Sequence, residues 1–463
     1  MPAARWAALL SVATLLCASE PEFSGWIPAR WPWSDVRSLE LLADSPINCL
    51  LLETSTADFA AAAAKRGLVV LAVVAAGGET VAEARKAFAA GAAGIILEGQ
   101  FPDSTTAAVQ RVAEGATVIQ LTSRGRMPLG SNVPIIGTYE GVFPGIAIEE
   151  NGTAKAGPTG STWIDTNTGF LRAVRPWSDQ ALWIANKPPP RTIITGKRYL
   201  QVIADAAFSG ARWVLALDDD FTVRLERREA SIMRDWRRIA DVVRYFEGHP
   251  EWSGMREYGK VVVVQDPMKG GLLSGGILDL LAARHIPARP MPSHLLTADA
   301  MRGATIVVNM DPSGLAARQE KALHDFANAG GTLVAGPPVW QDAGAAGERF
   351  AVNSAEIERL DPLWNKLNSK LTRKDYGVRL FNVSSMISNV LISGDGKTMA
   401  VHLVNYSDYP VEAISVMFPD GYGKATLFAP GEAARTLQIT RSGSGPGVTI
   451  DRVSVCATLE LAQ

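Results

Sequence analysis

The chain runs to 463 residues, of which 47 % are hydrophobic and 20 % charged. A length of that order calls for two to four domains with sizeable cores. The 45 basic residues against 47 acidic ones give a net charge of −2 and leave no cationic surplus for nucleic acid or anionic lipid.

The amino terminus reads as a secretory signal over residues 1–19. Arg5 supplies a positive charge, residues 6–16 are apolar, and Cys17, Ala18 and Ser19 are small enough for cleavage. The apolar run is too short for a bilayer, which takes about 20 residues. The expectation is export to the periplasm or the medium by a Sec-type signal, with no membrane span. Lipoprotein anchoring at Cys17 is the lesser alternative, because Leu16 stands where a small residue is usual. Cys17, Cys49 and Cys456 make no disulfide scaffold, and Cys49 lies inside an apolar run as a buried thiol would.

Residues 23–44 are rich in Trp, Pro and Arg and lead into a barrel. Eight short apolar runs follow: 47–53 (INCLLLE), 68–74 (LVVLAVV), 94–98 (GIILE), 118–123 (VIQLTS), 134–140 (PIIGTYE), 162–167 (TWIDTN), 181–186 (ALWIAN) and 213–220 (WVLALDDD). Ala-rich spacers at 56–66, 79–90 and 105–114 carry helical spacing. The connections 141–161 and 168–180 look irregular, and the triple proline 188–190 ends the seventh run. The pattern predicts a (β/α)8 TIM-like barrel over residues 20–250, with its strands between 44 and 220, and places chemistry at the carboxyl ends of the strands.

After a helix at 226–246, strand and helix alternate. Residues 260–265 (KVVVVQ), 305–309 (TIVVN) and 331–335 (GTLVA) read as strands, with helices at 277–284 and 316–329. This predicts a flavodoxin-like α/β domain over 255–345. The Gly-rich loop 269–276 has neither a Walker nor a GxGxxG pattern. From about 378 the strands shorten and alternate, with a hairpin signal at Gly394, Asp395 and Gly396; a small antiparallel β-sandwich is expected over 375–463.

The segments 245–252 (YFEGHPEW), 274–286 (SGGILDLLAARHI), 326–334 (FANAGGTLV) and 402–410 (HLVNYSDYP), in this order, resemble the three-domain β-galactosidases of glycoside hydrolase family 42. In that family a barrel is followed by a domain like a class I glutamine amidotransferase without its nucleophile, then by a β domain. No cysteine lies between 260 and 340, so amidotransfer is excluded on chemical grounds. The resemblance implies a carbohydrate substrate, with an acid/base glutamate after strand four and a nucleophile after strand seven. Counted along the eight runs, those positions hold Ser123-Arg124 and Asn186-Lys187, so the family's catalytic residues do not carry over.

Glycoside cleavage takes two carboxyl groups across the bond. The candidates at strand ends are Glu98, Glu140 and Asp165, with Trp163 stacking on a sugar and Asn167 bonding a hydroxyl beside them. Arg172, Asn186, Asp218 and Trp33 complete the expected substrate-binding set. Trp26, Trp31, Trp177 and Trp183 are placed near the same mouth, partly as core. The plainer alternative is that each acid salt-bridges an arginine such as Arg124, Arg172 or Arg175. Asp218, Asp219 and Asp220 form an oxygen cluster suited to a hard cation, but N-capping of the next helix explains them equally and no metal is assigned. All five histidines lie after the barrel, which argues against a zinc amidohydrolase site or a Ser-His-Asp triad there. No cofactor is called for. The expected partner is a carbohydrate, and a homo-oligomer is compatible with the sequence. Two functions stand: a secreted glycoside hydrolase-like enzyme, and a non-catalytic carbohydrate-binding protein that keeps a degenerate barrel.

Overall fold

The computed structural model describes residues 23–131, 133–143, 146–148, 154–156, 166–265, 271–310, 315–335, 362–383, 385–443 and 445–463. Eight parallel strands form a near-closed barrel: β1 (Pro28–Arg30), β2 (Cys49–Leu52), β3 (Val69–Ala75), β4 (Gly94–Glu98), β5 (Thr117–Thr122), β6 (Ile135–Thr138), β7 (Ala181–Ala185) and β8 (Arg212–Val214). Each strand pairs with the next in chain order. The last gap is spanned by a parallel bridge between Ala29 and Leu215, with Arg30 N donating to Leu215 O at 2.7 Å.

Seven of the eight apolar runs supply strands. Of the run at 162–167, the first four residues lie outside the described residues, and Thr166 and Asn167 lead into a helix. The missing strand is β1, inside the Trp-rich segment expected only to precede the barrel, so the barrel starts at Pro28. Its partners Cys49 to Leu51 are the nearest strand in sequence. With only three residues, the first of them proline, β1 carries no readable period.

The barrel interior is filled by alternate residues of each strand, with Leu51, Leu71, Ile96 and Leu121 around a fully buried Trp183. Trp183 is therefore core and not a mouth aromatic, and Trp26 and Trp31 are buried as well. Gly137 is required here, because a Cβ at that position would collide with Leu121. Outside run α1 (Ala57–Ala64), α2 (Thr80–Ala89), α3 (Asp103–Val112), α4 (Thr168–Val174), α5 (Gly196–Ala207), α6 (Asp219–Glu226) and α7 (Ala230–Glu247). Helix α4 falls in a connection that looks irregular in sequence. Its seven residues are all buried, so it lacks the polar face that makes helical spacing visible. The helix expected over 226–246 is two, broken at Arg228, which adopts a φ of 55°.

A short helix, α8 (Pro250–Ser253), precedes a four-stranded parallel sheet. Its order across the sheet is Ala288–Pro292, Val261–Gln265, Ile306–Asn309, Thr332–Ala335. The strand Ala288–Pro292 has no counterpart among the expected elements; Pro290 and Pro292 are tolerated because it lies at the sheet edge. Helix α9 (Gly271–Ala283) begins inside the Gly-rich stretch that was expected to be a loop, and α10 (Ala317–Asn328) follows later. The carboxyl-terminal part is antiparallel, with a six-stranded and a four-stranded sheet sharing one core that includes Val401, Leu403, Ile414 and Ile450. Strand Thr398–Asn405 pairs with both Met386–Ile392 and Cys456–Ala462 at the centre of the larger sheet.

Candidate functional site

Counting β1 as barrel strand one changes the address of every strand end. Gly94–Glu98 becomes strand four, so Glu98 stands where the resemblance puts an acid/base glutamate, and not Ser123-Arg124. Asn186 and Lys187 still follow strand seven, where a nucleophilic carboxylate would be needed.

Four strand-end side chains meet in the mouth. Arg30 ends β1, Glu53 follows β2, Glu98 ends β4 and Lys187 follows β7. The parallel register pairs Arg30 with Leu51 and Ala75 with Glu98, which places these side chains on the inward row above Leu51, Ile96 and Trp183. The Arg30 guanidinium pairs with Glu98 and lies 4.0 Å from Glu53. Lys187 contacts Glu53 directly and stands 3.7 Å from Glu98. The Lys187 ammonium, with Arg30 beyond it, holds the Glu53 carboxyl below the ordinary range against the opposing effect of burial. Arg30 is the deepest of the four, and its Nε and Nη1 make no hydrogen bond among the described residues.

Glu140, past the end of β6, is held separately. Its carboxylate accepts from the backbone N–H of Arg124 at 2.8 Å, and its carbonyl accepts from Arg124 Nε at 2.9 Å. The Arg124 guanidinium is buried, reaches Asn167 Oδ1 at 3.1 Å and lies over the Phe170 ring at 4.2 Å. Burial pushes its pKa down to about 9, with Glu140, Asp279 and Asp205 pulling the other way. It therefore remains charged at neutral pH. Of the expected acids, Glu98 thus pairs with Arg30 and lies near Lys187, whereas the Glu140 carboxylate is held by the Arg124 backbone N–H.

The remaining expected site residues are placed as follows. Asp165 and Trp163 lie outside the described residues. Asn167 is buried, and its side chain is engaged on both sides: Oδ1 accepts from Val142 N at 2.8 Å, and Nδ2 donates to Val142 O and to Asp205. Asn186 Nδ2 donates to Gly141 O at 2.6 Å. Arg172 points from α4 toward the middle sheet, paired with Glu257 and donating to Ala288 O. Asp218 caps α6 through Phe221 N and also accepts from Ile194 N and the Tyr199 hydroxyl. Trp33 is half-buried, edge-on to Trp31 at 4.9 Å. Asp220 pairs with Arg224. Among the described residues no cluster of three His, Cys, Asp or Glu is arranged to hold a metal ion.

Sequence reasoning missed Arg30, Glu53 and Lys187 as site residues. The available signal was the inward row itself: each lies at or just beyond a strand terminus, in phase with buried apolar residues.

These features define a near-closed parallel barrel with a charged mouth, followed by a parallel sheet and antiparallel sheets. The chain is similar in structure to an alpha-L-fucosidase isoenzyme 2 from Paenibacillus thiaminolyticus, with a TM-score of 0.61 at 9 % identity over 94 % of this chain and 99 % of that one. It is also similar to a β-galactosidase from Rahnella sp. R3, with a TM-score of 0.51 at 9 % identity over 93 % and 98 % of the two chains. At that identity the likeness is one of fold alone. No family model and no curated protein matches the sequence.

Proposed function

We propose that this protein binds an oligo- or polysaccharide in the barrel mouth and does not cleave it. The observation that carries this reading is the occupant of strand seven's end. Lys187 stands there in place of a carboxylate and, with Arg30, neutralises Glu98. Glycoside cleavage takes two carboxyl groups across the bond, and the end of strand seven supplies a cation there instead. The fold shared with two glycosidases supports a carbohydrate as ligand.

One observation favours a second reading, hydrolysis of glycosidic bonds. Glu98 ends strand four, the acid/base position of the family that the sequence resembles. Its partner would come from Glu140 or Asp165. Export by the amino-terminal signal is part of both readings, since extracellular glycans would then be within reach.

The experiment is a screen of the purified full chain against a broad glycan panel, recording binding and release of reducing ends. Binding without release is expected. Release that falls at least ~100-fold in Glu98→Gln, with an unchanged melting temperature, would establish the hydrolase reading instead. Failure to bind or cleave any glycan would overturn both.

A further inference from the structure

Resting on that reading, we infer that the mouth recognises a sugar carrying a carboxylate, a uronic acid residue, and that Glu53 occupies the place of that carboxylate until ligand arrives. Arg30 carries the argument. Its side chain is only 10 % exposed, it points into the mouth, and among the described residues only one of its three guanidinium nitrogens is hydrogen-bonded, to Glu98. A buried guanidinium with idle donors is costly unless an acceptor completes it.

The neighbours show which acceptor fits. Glu98 is only 15 % exposed and fixed against Arg30, whereas Glu53 and Lys187 are 67 % and 51 % exposed. An ion pair between such exposed groups is weak and exchangeable. When the Glu53 side chain swings into solvent, the mouth is left with two cations against the single charge of Glu98. A carboxylate entering beside Lys187 and the idle Arg30 nitrogens restores neutrality. It also supplies planar, charged acceptors, which a guanidinium prefers over a hydroxyl. A neutral sugar offers hydroxyl oxygens to the same donors but leaves the surplus charge unmatched.

The test compares uronate oligosaccharides of pectic, alginate and glucuronoxylan type with the same oligomers after reduction of their carboxyl groups to alcohols. Binding to the full-length protein is measured by calorimetry at low and high salt. At least one acidic oligomer should bind about tenfold tighter than its reduced form, with the advantage shrinking as salt rises. Glu53→Gln should strengthen binding of the acidic oligomer relative to the reduced one, because it removes the competing anion. Lys187→Gln, a change at a half-exposed position, should abolish the preference. Equal affinity for both forms, or weaker acidic binding in Glu53→Gln, would overturn the inference while leaving the carbohydrate-binding reading intact. No binding of either form, alongside binding of neutral glycans elsewhere in the panel, overturns the inference alone. Silence across the whole panel overturns both.

Discussion

Asp279 of α9 is buried against α4, where its Oδ1 accepts from Gly169 N at 2.7 Å and from the Thr166 hydroxyl at 3.0 Å. Burial, with the neighbouring Asp205 carboxylate, pushes its pKa up from 3.8 to about 8, while Arg172 and the two hydrogen bonds pull down. Between about pH 4 and pH 8 the folded protein then holds a proton that the unfolded chain has released. The associated stability is complete below about pH 4 and is lost as pH rises through 8, at up to about 1.4 kcal/mol per pH unit. Asp279→Asn keeps an acceptor at Oδ1 and removes the titration. Denaturant midpoints should therefore fall less steeply from pH 5 to pH 8 in this variant than in the wild type; parallel curves would contradict the assignment. Arg172 presents the opposite case, a buried cation whose partner is Glu257. Arg172→Met should cost about 3–5 kcal/mol in stability and leave glycan affinity per folded molecule unchanged. A selective loss of affinity would return Arg172 to the binding set.

Helix α6 begins immediately above barrel strand eight, and one side chain fixes that junction. Asp218 caps the helix at Phe221 N, receives Ile194 N from the loop after β7 and bonds the Tyr199 hydroxyl of α5. The Tyr199 oxygen in turn accepts from Asp218 N at 2.7 Å. The aspartate run therefore serves as helix cap and loop anchor in this structure. Asp218→Ala removes a cap worth about 1 kcal/mol and leaves the buried Tyr199 O–H donor without its acceptor, at about 1–3 kcal/mol. The urea midpoint should drop accordingly with the slope unchanged. Asp219→Ala, beside it but outside this bonding, should be close to neutral.

Across the molecule, the barrel and the antiparallel unit are tied together by buried polar side chains as well as by apolar packing. Tyr406, from the turn after strand Thr398–Asn405, donates to Asp205 of α5 at 2.6 Å. Arg198 donates to Tyr406 O and to Asp408, and Gln201 Nε2 donates to Asn405 O at 2.8 Å. Asp205 also accepts from Asn167, which touches Arg124, so the β unit is linked by hydrogen bonds to the cation that holds Glu140. Tyr406→Phe should lower global stability by about 1–2 kcal/mol. Hydrogen exchange should quicken in α5 and in the 398–405 strand before it quickens in β2 to β4. Uniform acceleration across the chain would indicate that the contact does not tie the β unit to the barrel locally.

The sequence by itself determined the class of the molecule. Apolar runs of strand length separated by helical spacers define a parallel barrel, and shortened alternating strands after residue 378 define an antiparallel end, because burial on one or both faces is written into the local residue pattern. It also read Glu98 and Glu140 as strand-end acids, and they lie at the end of β4 and just past the end of β6. Three things waited for the tertiary structure. Strand β1 is too short to have a period and exists through its pairing with β2 and Leu215. Helix α4 is buried all round and shows no amphipathic stripe. The charged cluster joins Arg30 to a residue 68 positions away and Lys187 to one 134 positions away. Local pattern records which face of a strand is buried, but barrel closure alone decides which strand ends face one another, and with it whether an inward acid meets a second acid or a cation.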